Sequence, residues 1–156
     1  MKLTTEIAKH FREVHFGGNW TGTSFKEALD GVTFEQATTK VYDLNTIHTL
    51  AFHINYYIAA VLKVFQGEAL NAKDAYSFDH PEIHSQAEWE TFVAKLWTDA
   101  EQFATEIEKL PEDCFDKAFT DEKYGSFYRN IHGIIEHTHY HTGQISLLKK
   151  ILNFKG

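Results

Sequence analysis

Near the C-terminus the chain reads His132-Gly-Ile-Ile-Glu136-His137-Thr-His139-Tyr-His141-Thr-Gly143-Gln144-Ile145. At about 100° of rotation per residue in a helix, His137 and His141 fall on one face, one turn apart. Ile134, Ile145, Leu148 and Leu152 share that side, so the pair lies in the apolar stripe and faces the core. Two imidazoles placed there need partners, because an unpaired buried polar group costs about 1–3 kcal/mol. A metal ion is one such partner and a carbonyl or a water is another. His132 and His139 fall on the far side of the helix and are outside any site the pair forms.

Three metal chemistries use histidines at such spacings. A ferritin-like di-metal centre needs a Glu-x-x-His on each of two helices, and only Glu136-x-x-His139 offers that spacing, rotated off the stripe. A zincin needs glutamate directly after the first histidine of its pair, and Thr138 stands there instead. A mononuclear site of three neutral histidines with water or substrate at the open position fits the residue types. Its third ligand must come from another helix.

Helix 2 is expected from a cap at Asp43 or Asn45 to Gly67, with Ile47, Leu50, Ala51, Ile54, Ile58, Val61 and Phe65 as its stripe. His53 and Tyr57 lie on one shoulder of the stripe, and His48 and Asn55 on the other, about 140° away. Helical spacing does not choose between the shoulders. Helix 1 is expected over residues 3–16 on Leu3, Ile7, Phe11 and Val14, with His10 and His15 flanking it and Gly17-Gly18 ending it. Ser24-x-x-Glu27 and Thr33-x-x-Gln36 are capping boxes that order the connection to helix 2, and Ser85-x-x-Glu88 is a third, opening helix 3. Trp89, Val93, Leu96, Ala100, Phe103, Ile107 and Leu110 form a bundle seam that Pro111 closes. Residues 68–85 form a long polar crossover loop, and a second loop from Pro111 to Gly125 leads to Ser126, the cap of helix 4.

Four amphipathic helices without strand alternation imply an all-α, four-helix bundle in one domain, 1–156. The net charge of −7 argues against nucleic acid and anionic membrane surfaces. No apolar run reaches a membrane span, and the sequence starting at Met1 lacks a signal peptide's apolar region, so a cytoplasmic location is expected. A single cysteine, Cys114, excludes an intramolecular disulfide and thiolate zinc, whereas ten histidines favour imidazole ligation.

His137-x-x-x-His141-x-Gly143-Gln144-Ile145 with the following Leu-Leu-Lys-Lys resembles the last helix of the DinB/YfiT-like superfamily. Ile47-x-x-Leu50-x-x-His53-Ile54-x-x-Tyr57, ending in Gly67, resembles its second helix. The order of elements matches over nearly the whole chain, and these two helices carry the specific part. The resemblance implies an up-down-down-up four-helix bundle, usually a homodimer, with a divalent metal (zinc, nickel or iron) held by His53, His137 and His141. By position Gln144 either orients a ligand or bonds neighbouring backbone, Trp20 and Tyr57 belong to the pocket lining or the core, and Gly143 allows close helix approach or access to the metal. The resemblance implies thiol-dependent S-transfer with a low-molecular-weight thiol, the other class being a non-catalytic, stress-associated metal-binding dimer. With no adjacent carboxylate placed to act as a base, thiol coordination is favoured over water activation. Metal affinity is expected to weaken as pH falls through about 6.5, where free imidazoles protonate.

Overall fold

The computed structural model describes residues 2–154, and the ends of the expected domain, Met1 and residues 155–156, lie outside the described residues. Among the described residues six α-helices follow one another: α1 (Leu3–Phe16), α2 (Phe25–Leu29), α3 (Phe34–Thr38), α4 (Ile47–Phe65), α5 (Gln86–Lys109) and α6 (Phe127–Asn153). The four long ones are the four expected helices. The two short ones are the turns opened by the first two capping boxes, both complete: Ser24 and Thr33 each accept from the backbone three residues on and are bonded in return. No strand occurs among the described residues, and no helix among them is long and apolar enough to cross a membrane.

Two start caps differ from expectation, and the Gly67 end stands as expected. Thr46, not Asp43 or Asn45, caps α4, because its hydroxyl accepts from Thr49 N at 3.1 Å. At α5 only half of the capping box forms. Ser85 accepts from Glu88 N, but the Glu88 carboxylate reaches one residue further back, to His84 N at 2.7 Å. Gly67 follows the last turn of α4 at φ 91°, a left-handed conformation that lets Glu68 N bond back to Lys63 O at 2.9 Å and satisfies an end carbonyl.

Around the bundle α1 packs on α5, α5 on α4, α4 on α6, and α6 again on α1, while α2 spans α1 and α6 and α3 spans α4 and α5. Cross-contacts fix the relative directions of three pairs. Leu3 N bonds Glu112 while Arg12 pairs with Glu101 and Glu108, so α1 opposes α5. His48 meets Trp89 and Phe65 meets Phe103, so α4 runs along α5. His53 meets His141 and Phe65 meets Phe127, so α4 opposes α6.

The predicted stripes fill the core. Ile7, Phe11 and Val14 of α1, Ile47, Ile54 and Ile58 of α4, Trp89, Leu96, Phe103 and Ile107 of α5, and Ile134, Ile145 and Leu148 of α6 are all buried, each burial worth about 1.5–3 kcal/mol for the larger side chains. Of the stripe residues, Phe65, Val93, Leu110 and Leu152 are only partly buried, and Leu3 is 46% exposed at the first turn of α1. Trp89 also donates its indole N–H to Val32 O at 2.8 Å, which ties the α2–α3 loop to the head of α5.

Candidate metal centre

The two shoulders of α4 face different neighbours, which resolves the choice that helical spacing leaves open. The His48 and Asn55 shoulder faces α5: His48 lies edge-on to Trp89 and Phe92, and Asn55 donates to Asp99 at 2.7 Å. The His53 and Tyr57 shoulder faces α6. There His53, His137 and His141 come together, with one ligating nitrogen from each within 4.8 Å of the others.

The second nitrogen of two of these rings is already held. His53 donates from Nδ1 to the carbonyl of Ser77 at 3.2 Å, and His141 donates from Nδ1 to Oε1 of Gln144 at 2.6 Å. Both bonds fix the tautomer that leaves Nε2 unprotonated, the state a metal ligand requires. His137 Nε2 lies 2.9 Å from His53 Nε2, and its Nδ1 is buried with no hydrogen-bond partner. With metal–imidazole bonds of about 2.0–2.1 Å, two ligand nitrogens stand about 2.9 Å apart at a right angle and about 3.4 Å apart at a tetrahedral one. The observed separation therefore suits two ligands of one ion. Three neutral nitrogen donors without thiolate or carboxylate suit zinc, nickel or iron.

The surroundings keep the imidazoles neutral. Burial and the neighbouring His141 and His53 push His137 down to about 4. Burial also lowers His53, although the bond to Ser77 and the charge of Asp74 work against it, and burial lowers His141 against the bond to Gln144. The protonation window for metal loss consequently lies below the pH of about 6.5 expected for unperturbed rings.

Much of the enclosure comes from the crossover loop, which helix patterns alone do not place. Phe78 stacks on His53 with ring centroids 3.8 Å apart and planes 9° from parallel. Tyr57 meets His53 and His137 edge-on, and Tyr140 meets His141. A carboxylate does stand beside the centre: Asp74 accepts from the Tyr57 hydroxyl at 2.8 Å. The available signal was the length of this loop, since long connections in small domains are usually functional.

Beside His137 a pocket of about 310 Å³ opens between α4 and α6, lined by Tyr57, Val61, Arg129, Gly133, Ile134 and His137. Gln144 is bonded to His141, and Tyr57 lies against His53 and His137. Two expectations fail. Trp20 is 101% exposed, so it lines no pocket, because the Asn19–Thr23 turn closes on its own hydrogen bonds and points the indole outward. Gly143 is exposed, and a Cβ there would meet nothing within 4 Å, so no helix approaches closely enough to need it.

The spectator histidines are dispersed. His139 lies toward His10 on α1, and His132 packs on Tyr128. His48 is 2% exposed and pushed down to about 4 by burial and by His80. Comparison of the chain with protein-family models, curated proteins and solved structures gives no match.

Proposed function

We propose that the chain is a DinB/YfiT-like protein in which His53, His137 and His141 hold one divalent ion, and that it acts as a metal-dependent S-transferase joining a low-molecular-weight thiol to a small electrophile. The observation that carries this reading is a set of three converging imidazoles with a pocket beside His137. Structural zinc sites are closed by four protein ligands, whereas sites that act on substrates keep a position open. The contacts that set α1 against α5, α4 along α5 and α4 against α6 support the up-down-down-up arrangement that the resemblance implies.

When bound, the ion supplies a Lewis acid that holds a coordinated thiol as thiolate. The chain's own residues do the rest. Ser77 and Gln144 orient two ligand rings, and Phe78 and Tyr140 pack against the rings of His53 and His141. Tyr57, its pKa raised chiefly by burial, keeps its proton at neutral pH and directs it to Asp74. Tyr140 and Leu147 of α6 and Phe154, which caps its end, recur every seven residues and are 65%, 58% and 89% exposed, which supports the homodimer in the same reading.

Cobalt substitution followed by titration with small thiols tests the proposal, through a sulfur-to-metal charge-transfer band and then thiol consumption with a reactive electrophile. If no thiol perturbs the spectrum and metal-free protein turns over as fast as loaded protein, the S-transferase reading is wrong. A non-catalytic metal-binding bundle then replaces it.

A further inference from the structure

The pocket beside His137 has a direction. His137 stands at one end and Arg129 at the other, eight residues apart on α6, which is about 12 Å along the axis at a rise of about 1.5 Å per residue. Between them the walls are Val61, Ile134 and the bare backbone of Gly133, where a Cβ would meet nothing within 4 Å. The volume of about 310 Å³ suits a small elongated molecule.

Arg129 is the charged residue of this lining, and its guanidinium has no ion pair or hydrogen bond among the described residues. Its neighbour Asn130 also lines the pocket but has both amide hydrogens committed, to Tyr124 O at 2.9 Å and Ser126 O at 2.8 Å. Arg129 sits in the first turn of α6, where the helix end disfavours a cation and favours an anion. A planar guanidinium binds a carboxylate through two parallel N–H bonds. With one cation in the lining and a chain charge of −7, a monoanionic carboxylate fits better than a phosphate dianion.

We infer that this pocket seats a small, elongated thiol bearing a carboxylate remote from its sulfur, with Arg129 binding the carboxylate and the sulfur end at the three histidines. The inference rests on the metal-centre reading for its sulfur end and on Arg129 alone for its carboxylate end. The missing side chain of Gly133 leaves the passage open between them.

The test uses the cobalt-loaded protein with 6-mercaptohexanoate, 6-mercaptohexanol and 3-mercaptopropionate, each affinity read from the cobalt spectrum. The long acid should bind at least about tenfold more tightly than the long alcohol, with the charged pair as the only difference. Arg129→Met should abolish that preference at unchanged cobalt content. Gly133→Leu, which puts a side chain into the open space, should weaken the long acid and the long alcohol alike while keeping the metal. Equal affinity of long acid and alcohol, a preference that survives Arg129→Met, or tighter binding of the short acid overturns the inference and leaves the metal centre intact. If cobalt does not bind, the metal-centre reading has failed, and if it binds but neither long thiol perturbs it, the thiol reading of that centre has failed. The carboxylate seat is then decided in metal-free protein by hexanoate: a shift of the Arg129 Nε–H resonance, absent in Gly133→Leu, supports it, and no shift overturns it.

Discussion

Lowering the pH should release metal from this centre later than from an ordinary cluster of histidines. Each ligand imidazole binds the ion only when neutral, so proton competition divides the affinity by 1 + 10^(pKa − pH) for each ring. Three rings at the ordinary value of about 6.5 would each contribute about elevenfold at pH 5.5, about a thousandfold together. His137, pushed down to about 4, contributes almost nothing at that pH, and burial lowers His53 and His141 as well. The loss between pH 7.5 and 5.5 should therefore stay below about a hundredfold, with the steep decline displaced to lower pH. Zinc affinity measured by competition with a chromophoric chelator gives the profile. Calorimetry in buffers of differing ionisation enthalpy gives the protons released, expected below two at pH 6. A thousandfold loss by pH 5.5, with more than two protons released at pH 6, would refute the claim that burial holds these rings neutral.

Replacing Gln144 with Leu removes the acceptor that orients His141 and should cost about 10–100-fold in metal affinity without unfolding the chain, as chelator competition and a thermal melt will show. His15 stacks on Phe11 with Nε2 buried and unpartnered, and burial pushes it down to about 4, below its unfolded value of about 6.5. Its contribution to stability is therefore present above pH 6.5 and is lost as the pH falls toward 4. His15→Phe should remove about 2 kcal/mol of the stability lost between pH 7.5 and 5, measured by urea denaturation at the two pH values. His48→Ala should cost about 2–3 kcal/mol, since His48 is 2% exposed beneath Trp89 and Phe92, while metal content stays unchanged.

The long helices were legible because apolar residues recur at helical spacing and strong caps mark their starts. The α5 seam from Trp89 to Ile107 and the Ser126 cap of α6 stand as expected. Within the site, the His137 and His141 pair follows from a one-turn spacing alone. The choice of His53 over His48 does not, because rotation about α4 separates two shoulders without saying which helix each one faces. Packing decides it, by setting α5 against one shoulder and α6 against the other. Ser77, Phe78 and Asp74 were illegible for a different reason. An irregular loop has no periodicity to read, and its return over α4 depends on tertiary contacts such as Tyr56 with Lys73 and Tyr57 with Asp74. Trp20 misled because a large aromatic is usually at least partly buried, yet this one sits on a self-bonded turn.

Metal stoichiometry across a set of histidine variants tests the central claim most directly. Purified wild-type protein loaded with one divalent metal and desalted should retain one ion per chain. His53→Ala, His137→Ala and His141→Ala should each lose it while remaining folded by circular dichroism, because each removes one of the three converging nitrogens. His139→Ala, which lies toward α1, should keep the wild-type content. Full retention in His137→Ala, or loss in His139→Ala with His53 dispensable, would contradict the account.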